Sequence, residues 1–169
     1  MSQRLNYLEQ SPELAKKLFE LGHAVKKSSL GDTLIDLVNI RASQLNGCAF
    51  CLDMHCKEAR IHGERELRIY HVPIWRESTL FSEREKAAFE WTEAVTKLSE
   101  HGVPDDVYDR IRAQFNEAQI SELTFAVAVI NAWNRLNISF QSVPGSLDEQ
   151  LGLTKAGLSD EQMKSAGQA

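Results

Sequence analysis

A chain of 169 residues, 43% hydrophobic and 25% charged, is one soluble globular domain by size and composition, long enough to bury a real core. Its formal net charge of −5 and the lack of a basic stripe exclude a binder of nucleic-acid backbones. The polar start Met1-Ser2-Gln3-Arg4 leads into no apolar run, and the longest apolar stretch, Phe125 to Ile130 with its neighbours, is far too short to span a bilayer. No membrane partner is expected, and the cytoplasm is the expected location.

The pattern is helical nearly throughout. Ser11-Pro12-Glu13 opens a first helix, with Ser as N-cap and Pro at the first helical position, followed by apolar Leu14, Leu18 and Leu21. Gly31-Asp32 opens a second, with Leu34, Leu37, Val38 and Leu45 on its apolar side, and Asn46-Gly47 closes it. A third begins near Cys48 and runs to Gly63, and a short fourth covers about Glu64 to Val72 before Pro73. Ser82-Glu83-Arg84-Glu85 reads as a capping box for a fifth that extends to His101-Gly102. Pro104 starts a sixth and Ser121-Glu122 a seventh, apolar nearly all round from Leu123 to Trp133. Such a helix lies centrally in a fold or is shared with another subunit. No stretch alternates with period two, so the expectation is an all-α domain of about seven helices without a sheet. Residues 1–140 form its core, and 141–169, polar with isolated leucines, form a C-terminal arm frayed at its end.

The most specific chemistry lies in Cys48-Ala49-Phe50-Cys51-Leu52-Asp53-Met54-His55. On a helix turning about 100° per residue, Cys48, Cys51 and His55 fall within roughly 60° of one another. Two thiols at this spacing can close a disulfide, and in a reducing compartment that points to transient catalytic redox rather than a structural cross-link. The start of a helix presents free N–H groups and the positive end of a dipole, which favour a thiolate. Lowering a thiol pKa from about 8.5 to about 6.5 raises its ionised fraction at pH 7 from about 3% to roughly 75%. His55, one turn beyond Cys51, is placed to accept the thiol proton or to hand one to a leaving oxygen. Asp36, on the preceding helix, comes alongside His55 if the Asn46-Gly47 turn folds the two helices antiparallel.

Other readings of the run are weaker. A structural zinc site draws its second ligand pair from a distant segment, and no second Cys-x-x-Cys exists. Leu52 follows Cys51 where covalent haem attachment requires His. A further alternative is that the two cysteines are simply buried as small apolar residues. Cys56 reads as packing, Phe50 as a pocket wall, and His23, His62, His71 and His101 carry no assigned role.

The segments Ile40-Arg41-Ala42-Ser43-Gln44-Leu45-Asn46-Gly47-Cys48-Ala49-Phe50-Cys51-Leu52-Asp53-Met54-His55, Phe81-Ser82-Glu83-Arg84-Glu85-Lys86-Ala87-Ala88 and Ile130-Asn131-Ala132-Trp133-Asn134-Arg135-Leu136 resemble the alkylhydroperoxidase AhpD family of the carboxymuconolactone decarboxylase superfamily. The resemblance covers most of residues 30–140 and implies an AhpD-like helical domain that reduces hydroperoxides. It implies that Cys51 is the peroxidatic thiol, Cys48 the resolving thiol, and His55 with Asp36 the proton relay. The family acid is typically Glu where this chain has Asp36, and some members carry a His where it has Phe50. The resemblance further implies a homo-oligomer (dimer, trimer or hexamer). With no nucleotide-binding motif, neither cofactor nor metal is expected, and the reductant is an external dithiol or thiol protein. The alternatives are a carboxymuconolactone-decarboxylase-type lactone enzyme using His55 as general base, and a non-enzymatic thiol redox sensor.

Overall fold

Capping chemistry sets the helix boundaries in the computed structural model, which describes residues 2–158. After a four-residue helix α1 (Tyr7–Gln10) capped by the Asn6 side chain, Pro12 sits in the first turn of α2 (Pro12–Lys26). Helix α3 (Asp32–Asn46) lies between two glycines with positive φ, Gly31 at 84° and Gly47 at 73°. Gly47 closes α3 in the left-handed conformation, where a Cβ would be strained. The chain then reverses into α4 (Ala49–Ile61), with Cys48 as N-cap. Helix α5 (Glu66–His71) continues into a 3-10 turn at Val72–Ile74. The expected capping box opens α6 (Glu83–Thr96), with the Ser82 and Glu85 side chains each bonded to the other's backbone N–H. Helices α7 (Asp105–Gln114), α8 (Glu117–Phe140) and α9 (Asp148–Leu151), with a 3-10 turn at Leu153–Ala156, complete the described residues. They contain no strand, only an isolated bridge between Ser99 and Gly102.

The all-α class and the seven expected helices are therefore present, as α2 to α8, with local differences. Helix α6 stops at Thr96 rather than near His101, because Ser99 turns the chain by donating its hydroxyl to the Gly102 carbonyl. Helix α8 begins four residues before Ser121, because Asn116 and Gln119 form a second capping box. Beyond it, 141–158 folds into short turns of helix that pack on α4; the expected fraying at the chain end falls on residues outside the described set.

Helix α3 is the axis of the packing, buried almost continuously from Leu34 to Ile40. On one side Leu34, Val38, Ala88, Trp91, Ile111, Phe115, Leu123 and Val127 join α3, α6, α7 and α8. On another, Leu37, Ile40, Ala59, Ile69, Val72, Trp75, Phe81 and Phe89 join α3, α4, α5 and α6. Phe89 is fully buried and meets Phe81 edge-on at 5.0 Å. Full burial of each such large side chain stabilises by about 1.5–3 kcal/mol. Helix α8 is central, as its apolar sequence requires, yet Phe125 is 53% exposed, so one face remains open.

A polar ladder fixes the end of α3 just before the cysteines. The Asn46 amide donates to the side-chain oxygens of Asn131 (2.9 Å) and Asn134 (2.8 Å) on α8. Asn134 in turn donates to the Ser43 hydroxyl at 3.2 Å. Asn131 and Asn134 are buried and Asn46 partly so, and their mutual bonds hold the α3–α4 turn against α8.

Candidate active site

The turn delivers Cys48 and Cys51 to the first turn of α4, where they form a disulfide with Cα atoms 5.3 Å apart, inside the usual limit of about 7 Å. The Cys51 backbone N–H donates to the Cys48 sulfur at 3.2 Å, so Cys48 caps the helix through its side chain. Both residues are buried, at 2% and 1% exposure, and pack with Ala42, Phe50 and Ile130. They differ in outlook. Cys51 lines a cavity of about 240 Å³, and Cys48 does not.

The cavity is lined by α2, α3, α4 and α8, with Tyr7 and Leu8 of α1 and Leu147 and Leu151 also at its wall. Its walls are largely apolar, including Phe19, Val25, Ile35, Phe50, Met54, Val129, Ile130 and Trp133. Phe50 takes the wall position expected of it. The polar groups at the wall are few, and those of α4, His55 and Glu58, stand beside Cys51.

His55 is buried, and its Nδ1 lies 2.7 Å from Glu58 Oε2, one helical turn on. Lys26 of α2 donates to the other Glu58 oxygen at 2.6 Å. Burial alone would raise the Glu58 carboxyl, but the bonds and charges of His55 and Lys26 outweigh it and hold it at about 2. Glu58 is thus an acceptor, which assigns the donated proton to His55 Nδ1. His55 Nε2 is buried with no hydrogen-bond partner and is the nitrogen left for chemistry. No hydrogen bond joins His55 to Cys51 in the disulfide form.

Asp36 is buried at 1% exposure, but its Oδ2 lies 2.6 Å from Nδ1 of His62, and it makes no hydrogen bond to His55. Two facts of geometry account for the difference from expectation. Glu58 shares α4 with His55 and saturates Nδ1 from one turn away, while His62, at the end of that antiparallel helix, reaches the start of α3. Burial pushes the Asp36 carboxyl up, and the bond and charge of His62 oppose this. The sequence reading assigns His62 no role and passes over Glu58, although the i,i+3 spacing of His55 and Glu58 is a legible signal. Cys56 is partly buried and does not line the cavity. Its thiol is pushed up to about 11 by burial and by the nearby Asp53 charge.

The carboxymuconolactone decarboxylase family model matches residues 12–94. YdfG of Bacillus subtilis (strain 168), an uncharacterized protein, is 43% identical over 139 residues, which are 82% of this chain and 95% of YdfG. The chain belongs to the carboxymuconolactone decarboxylase family. Within it the resemblance is AhpD-like. The solved structure of ATU0492 from Agrobacterium tumefaciens, a protein of unknown function with a suggested AhpD antioxidant-defence role, superposes with a TM-score of 0.82 at 43% identity, covering 85% of this chain and 98% of that one. The alkylhydroperoxidase AhpD core of a peroxidase-related protein from Ralstonia eutropha JMP134 shares the fold with a TM-score of 0.73 at 19% identity, covering 82% and 74%. In this AhpD-like member of the family the dithiol pair and its surroundings support a redox role.

Proposed function

We propose that the protein is a thiol-dependent hydroperoxide reductase. The observation that carries this reading is the asymmetry of the disulfide: the Cys51 side opens onto a largely apolar cavity beside the unpartnered Nε2 of His55. In the reduced protein His55 Nε2 takes the Cys51 proton. The Cys51 thiolate then attacks one oxygen of ROOH and the O–O bond breaks. Cys51 becomes a sulfenic acid, and the leaving alkoxide receives a proton from His55 to depart as ROH. The Cys48 thiol attacks the sulfenic sulfur, expelling water and closing the disulfide. An external dithiol or thiol-protein reductant reopens it by exchange, so one hydroperoxide consumes two thiols. Glu58 orients the imidazole and stabilises the imidazolium between the two proton transfers, a task that falls to Glu58 ahead of Asp36 because Glu58 holds the bond to His55. Asp36, paired with His62, contributes a buried carboxyl at the far end of the same helix pair.

Largely apolar walls favour an organic hydroperoxide over hydrogen peroxide. Half-exposed Phe19, Phe125 and Ile138 on α2 and α8 are the apolar surface that self-association would cover. The reading is tested by peroxide consumption with the reduced protein and a panel of dithiol donors, beside Cys51→Ser. Turnover that disappears in Cys51→Ser is expected; equal consumption by the variant would overturn it.

A further inference from the structure

Asn137 lies on α8, 86 residues from Cys51, and its side-chain amide donates to the Cys51 sulfur at 3.6 Å. The same nitrogen donates to the Trp133 carbonyl at 3.0 Å, and the amide oxygen accepts from the Tyr7 hydroxyl at 3.1 Å. These partners fix which way the amide faces. Exchanging O and N would set the amide oxygen against the Trp133 carbonyl and the Cys51 sulfur, both acceptors, while the Tyr7 hydroxyl could serve either orientation. We infer that Asn137 is the donor that stabilises the Cys51 thiolate, with Tyr7 as the positioning residue that holds its amide toward the sulfur.

Three observations support this. Asn137, Tyr7 and Cys51 are exposed by only 5%, 8% and 1%, so bulk solvent screens the contact little and the bond is stronger than at a surface. An amide placed among apolar groups costs stability unless each of its atoms is bonded, and here both hydrogens and the oxygen are used. A thiolate is a far better acceptor than a disulfide sulfur, because hydrogen bonds to charged groups are about twice as strong. The same contact therefore favours the reduced, ionised state over the oxidised one. Burial pushes the Tyr7 phenol up against the opposing effect of its bond to Asn137, so Tyr7 remains a donor at neutral pH.

The other ionisable groups at the cavity are His55 and Glu58 on α4 and His23 and Lys26 on α2, while α8 and Leu147–Leu151 bring none to its wall; Asp36 on α3 lies behind. Lys26 is committed to Glu58. None of these bonds to the Cys51 sulfur, which leaves Asn137 as the side chain that donates to it among the described residues.

The inference rests on Cys51 being the attacking thiol, and its test needs no peroxide. In a Cys48→Ser background, iodoacetamide labelling of Cys51 is followed against pH by peptide mass. Asn137→Ala should raise the apparent Cys51 pKa by roughly one unit, the loss of one hydrogen bond to a charged group. Asn137→Asp should raise it further, since a carboxylate then faces the thiolate, and Tyr7→Phe should move it less in the same direction. With both cysteines present, Asn137→Ala should shift the equilibrium with dithiothreitol roughly tenfold toward disulfide, about 30 mV. An unchanged Cys51 pKa in folded Asn137→Ala and Asn137→Asp overturns the inference. Should those variants not fold, the Asn137 side-chain amide resonance of the Cys48→Ser protein carries the test: it should titrate with Cys51, and a resonance that ignores the titration overturns the inference equally. A Cys51 pKa that shifts in a protein consuming no peroxide would keep this inference and sink the proposed activity.

Discussion

Replacing Glu58 with Gln removes the charge that faces His55 and Lys26 while keeping the side chain's length. The drop of the Glu58 carboxyl from an ordinary 4.5 to about 2 is linked to about 3 kcal/mol of folding stability at neutral pH. The sign follows from the direction of the change. A carboxyl lower in the folded than in the unfolded chain contributes fully above the unfolded value and loses that contribution as pH falls toward the folded one. With these values the contribution is constant from pH 7 to about 6, and about 2 kcal/mol of it is gone by pH 3. Urea unfolding of wild type and Glu58→Gln at pH 7, 5, 4 and 3 isolates it, because constant packing offsets cancel when the stability difference is followed against pH. The difference should shrink by about 2 kcal/mol between pH 6 and pH 3, since the Gln side chain does not titrate. A difference that stays flat, or grows on acidification, would refute an ionised Glu58 held by His55 and Lys26.

Glu58→Gln should also slow peroxide reduction by about ten- to a thousand-fold, the usual loss for an acid–base helper, whereas Asp36→Asn should slow it less, because Asp36 bonds to His62 and not His55. The reverse order in steady-state kinetics would return the relay to Asp36. Lys57 is buried between Asp53 and Asp148, so Lys57→Met should cost about 3 kcal/mol by stranding a buried carboxylate. Hydrogen exchange should then loosen residues 144–156, with much of the loss recovered in Lys57→Met/Asp148→Leu. Cys56, pushed up to about 11, should carry only about 0.1% thiolate at pH 8, so brief alkylation of the reduced protein followed by peptide mass should leave it largely unlabelled.

What the sequence made legible is what local physics controls. Helices α2 to α8 follow from apolar spacing and from caps at Pro12, Gly47 and Ser82, all within a few residues of the boundaries they set. The four-residue helices α1 and α9 have no such signature, since segments that short do not hold helix alone and are fixed by packing. The early start of α8 was readable at Asn116 and Gln119, a capping pair outweighed by the stronger apolar run after Ser121. At the site, Cys48, Cys51 and His55 share one helix, so their juxtaposition follows from spacing. Partners from other helices do not. Whether Asp36 meets His55 or His62 depends on how far α4 slides along α3, and Asn137 comes to Cys51 from 86 residues away with no local pattern to mark it. Glu58 lay within reach of the same spacing argument that found His55.

The central claim, that Cys51 and Cys48 together reduce a hydroperoxide, is tested most directly in a single turnover without reductant. The fully reduced protein is mixed with one equivalent of an organic hydroperoxide such as cumene hydroperoxide, and alcohol product, free thiols and intact mass are measured on the same sample. The account predicts one alcohol formed per chain, two thiols lost, and a product lighter by two hydrogens with Cys48 joined to Cys51. Peroxide left intact beside a reduced dithiol, or a disulfide formed without matching alcohol, would contradict it.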